Sequence, residues 1–252
     1  MRPWWIPAGI LLLGGGTAAV TFLRSGQDLI VAPGPTYNGK TVSDWVDGLQ
    51  SCDVSDAAGT NLIAIGKPAV PYLIKAAEWK PSIRDKLSSF IGRHGGGTMW
   101  AYRLRCLIDP EFAKWPETLR GKHIRKRGAL LVLRSIGPPA KEALPALRRL
   151  ARLSPTFENW GTRVFALSAI ECIGPEQRDA PLFIRALKDE QWILRMEGLR
   201  GLGKIDKPAP QSIDALNNAL LDKDERVRKL AHEVLQRIDP QSVSDLNSQQ
   251  SK

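Results

Sequence analysis

The stretch SIGPPAKEALPALRRLAR, residues 135–152, sets a helix breaker against a run of helix formers. Leu144, Leu147 and Leu150 recur three residues apart, which puts them on one side of a helix. Gly137, Pro138 and Pro139 stand immediately before that helix and immediately after another helical run. AIGKPAVPYLIKAA, residues 64–77, repeats the arrangement. Glycine ends a helix, and proline then bars its continuation while suiting the first turn of the next. Both clusters therefore read as corners between two helices.

The residues leading into each corner share a frame. Ala129, Leu133 and Ile136 stand eight, four and one positions before Gly137. The same offsets give Ala58, Leu62 and Ile65 before Gly66, and Ala166, Ile170 and Ile173 before Gly174. They give Gly198, Leu202 and Ile205 before Asp206, and Ala231, Leu235 and Ile238 before Asp239. The last four anchors are 37, 32 and 33 residues apart. Offsets of three and four place these residues on one helix face, where a small residue admits a close neighbour. Pro71, Pro145 and Pro181 each fall near the start of the second helix, where a lost N–H costs little. A single helix pair cannot bury its apolar face, whereas stacked pairs can. The expected fold is all-α, an α-solenoid of stacked antiparallel helix pairs.

At these residues the chain resembles HEAT repeats. IGPPAKEALPALRRL, IGKPAVPYLIKA and CIGPEQRDAPLFIRAL look like HEAT corners with their second helices. RVFALSAIECIG and ERVRKLAHEVLQRID resemble HEAT first helices, with Arg163 and Arg228 three residues before the small residue. YNGKTVSDWVDGLQ, residues 37–50, is similar to the lead-in of a group of bacterial membrane-anchored HEAT proteins, the match resting on Tyr37, Gly39, Lys40, Ser43, Trp45 and Leu49. The resemblance implies a helical interaction scaffold whose second helices line a concave face.

WWIPAGILLLGGGTAAVTFL, residues 4–23, carries no charged residue and is long enough to span a bilayer as a helix. It reads as a signal anchor, with a cleaved signal peptide as the alternative. Arg2 and the amino terminus precede it, and Arg24 beside Asp28 follows it. The positive-inside rule then predicts the remainder on the periplasmic or exterior face of a bacterial inner membrane, or secreted if the segment is cleaved. The expected divisions are an anchor or signal at 1–24, a linker at 25–42, a solenoid of about five repeats at 43–239 that is irregular over 80–120, and a disordered tail at 240–252.

Catalytic signals are weak. HGGG, His94–Gly97, matches an esterase oxyanion loop, yet no G-x-S-x-G elbow accompanies it. GLRGLG, Gly198–Gly203, lacks phosphate-loop spacing and falls on a repeat helix. His94, His123 and His232 share no metal-ligand spacing, and Cys52, Cys106 and Cys172 are few and far apart. Asp189, Glu190, Asp222, Asp224 and Glu225 fall in turns, where carboxylates cap helices. No enzyme, cofactor or metal is expected.

The charge is more telling. Thirty-six Lys and Arg against 26 Asp and Glu give a net +10. From Arg120 to Arg152 ten cations face one carboxylate, Glu142. Arg125, Lys126, Arg127, Arg148, Arg149 and Arg152 form the candidate partner-binding surface, and the resemblance implies that Arg148, Arg149 and Arg152, on a second helix, reach the groove. A basic groove favours an acidic protein, an anionic lipid head group or nucleic acid, and a protein partner is the expected one. Nucleic acid is the alternative, which the predicted export opposes. Oligomeric state is not encoded in any pattern found.

Overall fold

Gly66 and Gly137 both adopt φ of 66°, a left-handed conformation that side-chain-bearing residues rarely take, so the chain turns sharply at both corners. The structure is a computed structural model that describes residues 34–50, 54–83, 117–156, 159–206 and 209–239. All of these fall in one compact unit that begins at Pro33. The apolar segment 4–23, the HGGG loop, most of the irregular stretch 80–120 and the tail 240–252 lie outside the described residues.

The unit opens with a two-stranded antiparallel hairpin, β1 (Thr36–Tyr37) and β2 (Lys40–Thr41), paired Thr36 to Thr41 and Tyr37 to Lys40. Asn38 and Gly39 supply the two positive φ values that a tight hairpin turn requires. Sequence reading took this stretch as spacer because so short a hairpin leaves no alternation to detect. Helix α1 (Val42–Asp47) follows, started by a reciprocal cap in which Thr41 and Asp44 satisfy each other's backbone N–H groups. Trp45 Nε1 donates to the Tyr37 carbonyl at 2.8 Å, which ties the hairpin to α1.

Beyond α1 the described chain is helical. The first helices of the repeats are α2 (Ala57–Ile65), α4 (Glu117–Ile136), α6 (Trp160–Ile173), α8 (Trp192–Leu202) and α10 (Glu225–Ile238). The second helices are α3 (Val70–Ala77), α5 (Leu144–Ala151), α7 (Ala180–Ala186) and α9 (Pro210–Ala219). First helices pack on one another in chain order, and each second helix packs on the first helix that follows it. This is the expected stack of helix pairs. Among the described residues no helix is long and apolar enough to cross a membrane.

The corners differ from a simple turn. Short 3-10 helices at Lys67–Ala69, Pro138–Ala143 and Gln177–Asp179 carry the chain from first to second helix. Glu142 and Ala143, expected in the second helix, belong to this segment, and α5 starts at Leu144. Pro71, Pro145 and Pro181 then stand in the opening positions of α3, α5 and α7, where no intrahelical N–H bond is forfeited. At the Asp206 corner α8 stops earlier, at Leu202, and is capped by Gly203 in a right-handed conformation, with Ile205 folding into the core instead.

Every frame residue is buried or half-buried. The small position has a direct steric cause at Gly198, where an added Cβ would lie 2.8 Å from the Phe183 carbonyl oxygen of α7. At Gly201, one turn on, it would lie 2.0 Å from the Phe183 ring. Phe183 is fully buried, and these glycines let α8 seat against it. The glycines of GLRGLG are thus packing residues.

Candidate functional site

Arginines on the first helices link successive repeats. Arg163, in α6, donates from Nη1 to Asp189 Oδ2 at 2.6 Å, with both side chains almost wholly buried. Arg195, in α8, forks onto Asp222 at 2.7 and 2.8 Å. Its Nη1 also donates back to the Asp189 and Glu190 carbonyls at 3.0 and 2.9 Å. Arg228, in α10, donates to the Asp222 carbonyl at 2.7 Å. Asp189 and Asp222 further accept from the backbone N–H two residues on, at Gln191 and Asp224. Each turn is therefore gripped through its carbonyl by the arginine that follows and through its carboxylate by the arginine before. Of the five turn carboxylates expected to cap helices, Asp224 does so as the N-cap of α10, accepting from the Arg226 N–H. Arg195 is the member that sequence reading missed, although it stands three residues before Gly198 as Arg163 does before Ala166.

The expected basic surface divides into two kinds of residue. Arg148 does not face a groove. It is buried, with Nε and Nη2 donating to Asp179 at 2.6 and 2.9 Å and Nη2 also pairing with Glu176 at 3.2 Å. Asp179 is fully buried and additionally accepts from the Glu176 N–H. Burial alone would push the Asp179 carboxyl up, but the Arg148 and Glu176 hydrogen bonds outweigh it and hold it below the ordinary value. Arg148 is thus withdrawn from any partner surface, for a reason the sequence hides: its acceptor lies 31 residues away on the next corner.

The other five lie nearer solvent. Arg125 pairs with Asp47 at 3.2 Å, which ties α4 to the end of α1. Lys126 donates to the Trp79 carbonyl at 3.2 Å, and burial, with the nearby Lys80 charge, lowers its pKa against the pull of Glu78. Arg127 is exposed, its guanidinium beside Gly161 at the start of α6. Arg149 forks onto Glu78 Oε1 at 3.0 and 2.6 Å, across to the end of α3. Arg152 is exposed at the end of α5, where its carbonyl accepts from Arg185 Nη1 at 3.4 Å. Arg149, Arg152, Arg185 and the exposed Lys188 gather where α5 and α7 end, a placement that the negative helix termini favour. Arg185 and Lys188 escaped sequence reading because they lie beyond the run at 120–152.

Among the described residues no group of three or more His, Cys, Asp or Glu side chains could hold a metal ion. Cys172 is a free, half-buried thiol. Glu197 is buried beside Arg200, which donates to it at 2.7 Å. Burial, aided by the Glu171 charge, raises its pKa, against the opposing effects of Arg200 and Ser168.

A comparison with curated proteins gives no match. Residues 157–236, which hold α6 to α9, most of α10 and the arginine–aspartate links between them, match the family model described as HEAT repeats, and over that segment the chain is similar to that family.

Proposed function

We propose that this protein is a membrane-tethered scaffold whose stacked helices bind a partner protein and which performs no catalysis of its own. The observation that carries the reading is the gathering of Arg149, Arg152, Arg185 and Lys188 at the ends of two adjacent second helices, on a solenoid of the kind that commonly serves protein interaction. The net charge of +10 supports an acidic partner. Arg125, Lys126, Arg127, Arg149 and Arg152 are the proposed surface, with Arg148 bracing it from inside. Tethering rests on residues 4–23, whose length and lack of charge suit a single span, and the charge bias around them supports a solenoid on the periplasmic or exterior side.

Two measurements test the reading. A carboxy-terminal tag on the full chain, in intact spheroplasts, is expected to sediment with membranes and to be digested by added protease; protection until lysis overturns the topology. A photocrosslinking residue at position 152 in cells is expected to give a discrete protein adduct absent from the same residue at position 141. A nucleic-acid adduct, with binding that falls steeply with salt, would instead establish the alternative of a nucleic-acid-binding protein with a basic face.

A further inference from the structure

The turns that join each second helix to the next first helix are not equivalent. At the last of them Arg226 stacks 3.5 Å from the centroid of the Trp192 ring, held there by two hydrogen bonds to Asp224. Trp192 opens α8, and Trp160 opens α6 in the same place. The counterpart of Arg226 one repeat earlier is Ile193, since both stand two residues before the linking arginine. Ile193 offers no cation to stack. Beside Trp160 a cleft of about 540 Å³ opens instead, lined by Arg163, Arg185, Lys188, Asp189 and Glu190 with the tryptophan.

The charges in this cleft can be counted. Arg163 and Asp189 cancel in their buried pair. Arg185 and Lys188 are exposed and face one exposed carboxylate, Glu190. Arg185 also donates to the Arg152 backbone carbonyl, where α5 ends. Outside the buried pair, two cations against one anion line the cleft with the indole. The positive run then stops: in the adjoining groove between α7 and α9 Asp222 is cancelled by its buried pair with Arg195, and the exposed Asp214 stands opposite Lys188.

We propose that this cleft docks an extended acidic segment of the partner protein, with carboxylates on Arg185 and Lys188 and an apolar side chain on Trp160. The proposal rests on the scaffold reading and locates its contact. Carboxylates suit the arginine fork, which makes paired, charge-assisted hydrogen bonds. A nucleic-acid backbone needs a longer succession of cations and would run into the exposed Asp214 in the next groove.

The test uses the full chain in an uncharged detergent and a fluorescein-labelled peptide of alternating glutamate and leucine, read by anisotropy at low salt. The double variant Arg185→Glu/Lys188→Glu is expected to weaken binding about tenfold or more, a loss on the scale of a few charge-assisted hydrogen bonds. Lys141→Glu/Lys204→Glu makes the same change in net charge at exposed positions elsewhere and is expected to leave most of the affinity. Trp160→Ala is expected to weaken the glutamate–leucine peptide but not a glutamate–serine one. All four charge-reversed positions are exposed, so thermal melts near the wild type are expected. Equal loss in the two double variants overturns the proposal. Loss confined to Arg127→Glu/Arg149→Glu overturns the cleft but keeps the scaffold reading. Preference for an oligothymidylate over the acidic peptide overturns both.

Discussion

Arg148 and Asp179 are a buried charged pair, and such pairs are asymmetric to mutation. Arg148→Met leaves the fully buried Asp179 without its forked partner and is expected to cost roughly 3–5 kcal/mol in chemical denaturation. Replacing both residues by Met and Leu is expected to restore most of that loss, because no charge is then stranded. Glu197 behaves in the opposite sense. Its folded pKa is raised, so its ionised form opposes folding at neutral pH, and that penalty disappears as pH falls below the ordinary value of 4.5. Glu197→Gln is therefore expected to raise the melting temperature at pH 7 and to make little difference near pH 4; a gain that persists in acid would contradict the assignment. At this scale the sequence was half legible. Repeat position marked Ala166, Ile170 and Gly198 as packing residues. It could not distinguish Arg148 from Arg149, adjacent on one helix, because only the distant Asp179 separates the buried cation from the exposed one.

The elements were legible where a period or a breaker announced them. The Gly-Pro corners located α3, α5 and α7, and the small-to-aliphatic frame located α2, α4, α6, α8 and α10. The hairpin at Thr36–Thr41 and the 3-10 corners were not, since two-residue strands and single tight turns carry no period. Two changes probe how helices meet. Gly201→Ala drives a methyl into the Phe183 ring and is expected to destabilise by roughly 1–3 kcal/mol, with Phe183→Leu in the same chain recovering part of it. Asp222→Ala removes the carboxylate that Arg195 grips and the acceptor for the Asp224 N–H. Amide hydrogen exchange is expected to quicken in α9 and α10 while α4 and α6 keep their protection. Uniform quickening would mean that the stack opens only as a whole.

Across the whole described unit, contacts run from each repeat to the next, so stability is expected to be a sum of local terms coupled to neighbours. Acid should expose this. Asp179 and Asp222 are held below their ordinary value of 3.8, and Asp224 is lowered to about 2. Carboxylates depressed in the folded state lend stability that is fully present above their unfolded value and is lost as pH falls through the folded one. The melting temperature is therefore expected to fall from about pH 4 toward about pH 2, with Asp222→Asn shallower over that interval than the wild type. The stack was the most legible feature of all, because repetition multiplies a faint signal, whereas the partner surface had to be narrowed by seeing which cations the fold already uses. The linking arginines carry one more consequence. Arg163 reaches forward to Asp189 and Arg195 reaches back to the same turn, so the joints between repeats are staggered as in bonded masonry. A block of 32 or 33 residues cut out at its corners and grafted into another array needs two matched partners to be accepted there: an arginine ahead of it and an aspartate behind.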